Sequence, residues 1–134
     1  MKSEFNEFLK STITLEIWSG SGVAFRSEKE GLKGLMEFIE VYGRNIKDIM
    51  VFDKIAGRGA VLLTAYIGGK EIDAKIGSIV AGDAAQSLGI KFYFQEMVPQ
   101  ILNDLGTDMC PTEKLSTLKS PEEFYLALKK EMKL

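Results

Sequence analysis

The sequence predicts an α/β protein, a three-layer α/β/α sandwich on a single mixed sheet of about five strands. Three observations carry that reading. The apolar spacing switches repeatedly along the chain between a period of two and the helical period of about 3.6. Ile49-Met50-Val51-Phe52 is a continuous apolar run held between Asp48 and Asp53, the pattern of a central strand covered on both faces by helices. The chain's 134 residues, 46% hydrophobic and 27% charged, suit one domain spanning 1–134, and no repeat or Pro/Gly/Ser-rich linker divides them.

Taken in order, Phe5, Phe8 and Leu9 fall at helical spacing over residues 3–10, and Ile13, Leu15 and Ile17 then alternate as a half-buried strand does. Ser19-Gly20-Ser21-Gly22 turns the chain, and Val23 and Phe25 resume the alternation, which makes a hairpin. Ser27 with Glu30 reads as a capping box, opening a helix on Leu32, Leu35, Met36 and Ile39 that Gly43 ends. After the 49–52 strand, the segment from Ile55 to Ile67 reads as a buried helix stopped by Gly68-Gly69. Ile72, Ala74 and Ile76 form a strand, Ala81 to Leu88 a short helix ended by Gly89, and Ile90, Phe92 and Phe94 a further strand. Val98 to Leu105 and the segment from Pro111 read as short helices, and Ser120-Pro121-Glu122-Glu123 caps the last one. The order is ββαβαβαβ.

Composition removes several function classes. Seventeen Lys+Arg and nineteen Asp+Glu are interspersed and give a net charge of −2, so no attraction to nucleic acid or to an anionic membrane is expected. With no histidine and one cysteine, Cys110, there is no His-dependent triad, no His/Cys metal cage and no intrachain disulfide; no metal and no cofactor is expected. Neither a signal-peptide pattern at the start nor an apolar run approaching about 18 residues is present, and the expected location is the cytoplasm with the thiol reduced.

The residues left for chemistry are few. Asp53-Lys54 follows the central strand where open α/β sheets place ligands, with Asp53 suited to cap the next helix and Lys54 to meet an anion. Gly57-Arg58-Gly59 lacks the spacing of a phosphate loop, because Leu62 stands where a third glycine belongs, and its glycines suit close packing. Cys110-Pro111-Thr112-Glu113 repeats the arrangement of Ser120-Pro121-Glu122-Glu123, so Cys110 stands at a helix start as the candidate nucleophile. The aromatics Trp18 and Tyr93 on strand faces serve core packing, a ligand surface or a homodimer contact.

Asp53-Lys54 followed by Gly57 and Ala60, then Met109-Cys110-Pro111 with Glu113-Lys114, resembles a small uncharacterised prokaryotic family of cytidine-deaminase-like fold, over roughly residues 12–118. The resemblance implies a site between two helix starts and no established reaction. Zinc deaminases carry H-x-E and P-C-x-x-C there, whereas this chain has Asp53-Lys54-Ile55 and Ser78-Ile79-Val80-Ala81, without a thiol or an imidazole. The implied pocket is lined by Asp53, Lys54, Ser78 and Cys110. Its first reading is a zinc-free domain binding a nucleotide-like or other small polar metabolite. A thiol-dependent enzyme using Cys110 and a non-catalytic structural or homo-oligomeric protein are the alternatives.

Overall fold

A computed structural model describes residues 2–134. Helix α1 (Lys2–Lys10) leads into the hairpin β1 (Leu15–Ser19) and β2 (Gly22–Ser27), then α2 (Lys33–Tyr42), β3 (Ile49–Ala56), α3 (Arg58–Tyr66), β4 (Glu71–Ser78), α4 (Ile79–Ser87), β5 (Lys91–Val98), α5 (Pro111–Ser116) and α6 (Pro121–Glu131). The five strands form one mixed sheet in the order β2-β1-β3-β4-β5. β1 runs antiparallel to both β2 and β3, whereas β3, β4 and β5 are parallel to one another.

Each parallel step needs a crossover, which α3 and α4 supply. Together with α2 and α6 they bury one sheet face around Ile17, Val51, Ile72, Leu35, Leu62 and Phe124. The other face carries a smaller cluster in which α1 lays Phe5 and Phe8 on Phe52, with Trp18 and Met50 beside them. Strand alternation produces the division: Val51 and Phe52 are neighbours in β3 and point to opposite faces. Helices therefore cover both faces of an α/β sheet, as the apolar run 49–52 requires.

Three local expectations are corrected. Ser27 does not cap α2: it ends β2, its Oγ accepts the Lys29 N–H at 3.0 Å, and α2 starts later behind Leu32 without a side-chain cap. β3 continues past Phe52 to Ala56, so Asp53, Lys54 and Ile55 are strand residues, and Gly57 precedes α3. Val98 to Leu105 is not helical despite its apolar spacing. Val98 pairs with Ser78 as the end of β5, and Pro99 after it favours that extended form. Beyond it the chain doubles back, the Cys110 N–H bonding the Ile101 carbonyl at 2.7 Å and the Asn103 N–H bonding the Asp108 carbonyl at 2.8 Å. The last helix forms as expected, with Ser120 Oγ accepting the Glu123 N–H and Glu123 Oε1 accepting the Ser120 N–H.

Candidate functional site

A cleft of roughly 530 Å³ opens at the carboxyl end of β3, beside antiparallel β1 and in front of the start of α3. Asp53, Lys54, Gly57, Ile101, Cys110 and Glu113 are among the residues bordering it. The location obeys the rule that open α/β sheets bind ligands outside strand carboxyl ends.

Asp53 is a buried acid of this cleft, 6% exposed. Its strand partners are Leu15 on β1 and Ala74 on β4, so apolar chain flanks it on both sides. Burial pushes its carboxyl up to about 7, against the opposing pull of the Ile55 and Lys54 backbone amides. Oδ1 accepts the Ile55 N–H at 3.2 Å, which leaves acceptor capacity for a group in the cleft. The expected capping role is absent because Asp53 lies inside the strand.

Lys54 borders the cleft, but its ammonium goes elsewhere. Alternation turns the side chain away from the Asp53 face, and Nζ donates to the Ser11 carbonyl at 2.6 Å and the Ile13 carbonyl at 2.8 Å. It also lies 4.6 Å from the centre of the Phe8 ring. Burial, and then the like charge of Lys75, hold its pKa below the ordinary lysine value. The cation thus staples the end of α1 to β3 instead of meeting an anion.

Ser78 is fully buried and caps α4, its Oγ accepting the Ala81 N–H at 3.1 Å and donating to Glu113 Oε1 at 2.8 Å. Cys110 is a free thiol, half-buried at the start of α5, with its Sγ 3.2 Å from Thr112 Oγ1 and no capping bond. Asp53 and Cys110 therefore share the cleft, the Lys54 charge is committed to α1, and Ser78 lies behind the wall.

The group the sequence did not disclose is Glu113. Its carboxylate is 3% exposed and accepts from Ser78 Oγ, from the Arg58 N–H at 3.0 Å and from the Ile101 N–H at 2.5 Å. Arg58 answers in the other direction: its guanidinium donates to the carbonyls of Ser116 and Lys119. These bonds fasten α5 and the 99–110 segment to the starts of α3 and α4. Gly57 leaves room for the arrangement, since a Cβ there would stand 3.1 Å from Glu113 Oε1.

Among the described residues no three His, Cys, Asp or Glu side chains stand close enough to hold a metal ion, and no helix is long and apolar enough to cross a membrane. A family model described as TM1506, a domain of unknown function (DUF1893), matches residues 4–132. The crystal structure of the DUF1893 family protein TM1506 from Thermotoga maritima is similar, with a TM-score of 0.86 and 29% identity over 97% of this chain and 88% of that one. No curated protein matches the chain.

Proposed function

The chain belongs to the DUF1893 family, and from that premise we propose that it is a zinc-free, deaminase-like domain that binds a small, polar, nucleoside-like molecule in the Asp53 cleft. One observation carries the reading: a buried carboxyl with unused acceptor capacity at the carboxyl end of the central strand. Near neutral pH such a group is poised between donating and accepting, which suits an amide, amine or hydroxyl of a ligand. The strand order β2-β1-β3-β4-β5, with an antiparallel β1 and three parallel strands, supports the deaminase-like reading.

The cleft's charge narrows the ligand. Glu30, Asp53, Asp104 and Glu113 border it against Lys33 and a Lys54 whose ammonium is already bound. The Arg58 N–H at the start of α3, where a phosphate would otherwise be held, already serves the Glu113 carboxylate. The ligand is therefore neutral or cationic and donates hydrogen bonds. Zinc does not fit: the polar groups meeting at the starts of α3 and α4 are a serine hydroxyl and a carboxylate bound by three donors, so no metal-assisted step is proposed.

Titration calorimetry with free nucleobases, nucleosides and nucleoside monophosphates tests the reading. Binding of a base or nucleoside that Asp53→Asn abolishes, and that slows alkylation of Cys110, supports it. Failure of all three classes to bind, or binding that Asp53→Asn leaves unchanged, overturns it.

A further inference from the structure

Asp73 is a further buried acid, on the sheet face opposite Asp53 and used by nothing described above. It is 8% exposed, and its buried Oδ1 has no hydrogen-bond partner among the described residues. In the sheet its neighbours are Phe52 on β3 and Tyr93 on β5. The Phe5 ring of α1 contacts both of them, with centroids 5.1 Å from Phe52 and 6.0 Å from Tyr93. A ring that touches both outer members of a three-residue row lies over the middle one, so Phe5 covers Asp73.

We propose that α1 is a pH-responsive cover of this sheet face, docked while the Asp73 carboxyl keeps its proton and released as that proton is lost. A protonated carboxyl tolerates an aromatic lid, whereas a carboxylate whose buried Oδ1 lacks a donor must recover water for that oxygen, and moving Phe5 aside admits it. Burial favours the proton. Burial first, and then the neighbouring carboxylate of Glu71, two residues earlier on the same strand, hold Asp73 up to about 7 against the pull of the Tyr93 backbone N–H. Lys91 stands beside Glu71 in the sheet, Lys75 follows Asp73 on the same face of β4, Lys54 follows Met50 and Phe52 on that face of β3 with its ammonium bound to the Ser11 and Ile13 carbonyls, and α1 brings Lys2, Glu4, Glu7 and Lys10 around its two buried phenylalanines.

The sign follows from linkage. An acid whose pKa is raised to about 7 when covered, above the value it takes once α1 is released, favours docking most below that lower value, and the advantage is lost as pH rises to about 7. Across that window the docking constant falls up to about tenfold per pH unit. The Lys54 bonds to the Ser11 and Ile13 carbonyls hold the segment after α1, so release is confined to α1.

Trp18, the chain's single tryptophan, lies in the covered cluster with its ring 6.2 Å from Phe52 and reports the change. Between pH 5 and pH 8 the Leu9 and Lys10 amides lose at least about tenfold in hydrogen-exchange protection, after correction for intrinsic rates, and Trp18 emission shifts to the red. Asp73→Asn, which cannot ionise, removes both changes. Equal protection at the two pH values in the unsubstituted protein overturns the proposal without any variant. The same loss in Asp73→Asn overturns it as well.

Discussion

Ser78 donates its hydroxyl to Glu113 Oε1 at 2.8 Å, joining the start of α4 to α5 across 35 residues of chain. With the Arg58 and Ile101 amides on the same carboxylate, three elements meet at one buried group. Removing it leaves two buried amides and a hydroxyl without their acceptor, at about 1–3 kcal/mol for each group left unpaired. Glu113→Ala is therefore expected to destabilise by at least about 3 kcal/mol in urea unfolding, with Glu113→Gln losing less because its amide oxygen keeps part of the set. A loss below about 1 kcal/mol for the alanine variant contradicts this account.

Asp53 sets a pH dependence of global stability. The folded chain holds this carboxyl protonated up to about 7, while the unfolded chain ionises it near 3.8, so rising pH across that window favours unfolding. Stability is greatest below the window and is lost on the way to pH 7, at about 1.4 kcal/mol for each unit separating the two values. Urea midpoints at pH 5 and pH 8 check it. Asp53→Asn reduces the difference and is more stable than the parent at pH 8, with the slope that remains belonging to Asp73. Equal slopes in parent and variant rule the effect out.

Gly59 faces Phe124 and Leu32, and a Cβ there would come within 2.7 Å of the Phe124 ring and 2.9 Å of Leu32 Cδ1. The space belongs to α6 packing on α3, as expected of a glycine kept for close approach. Gly59→Ala is expected to cost about 1–3 kcal/mol by overpacking. Gly20, in the exposed hairpin turn, has nothing within reach of a Cβ but a φ of +60, so Gly20→Ala costs about 1 kcal/mol by strain alone. Thermal melts of the pair separate the two mechanisms, since Phe124→Leu relieves only the first.

How far the sequence spoke depended on whether a residue's partners were local. Period and alternation located α1, α2, all five strands, α3, α4 and α6, because burial on one face imposes a rhythm. The contrast between Ser120 and Cys110 shows where that ended. Both precede Pro-x-Glu, yet Ser120 has a free N–H and an oxygen acceptor, and Glu123 returns to close the box. The Cys110 N–H is bonded to Ile101, and its thiol makes no cap, so Glu113 is free to reach Arg58 and Ser78. The deciding partner of Cys110 comes from a returning loop, which local pattern does not register. Asp53 and Lys54 were legible as following the central apolar run, but the strand continues through them and alternation sends them to opposite faces.

That separation gives the final prediction. A cation facing Cys110 across the cleft would favour its thiolate, and Lys54→Met would then slow alkylation at neutral pH. The structure instead binds the ammonium to the Ser11 and Ile13 carbonyls and lays it on Phe8. Lys54→Met is therefore expected to leave iodoacetamide rates at Cys110 within about twofold of the parent across pH 6 to 9. Its cost falls on α1, which loses two charge-assisted hydrogen bonds at its carboxyl end, about 1.5–3 kcal/mol each at most and less where water replaces them. Faster hydrogen exchange in residues 9–13, with the thiol unaffected, is the expected pair of results. A tenfold slower alkylation with α1 undisturbed would return Lys54 to the cleft as the thiol's partner.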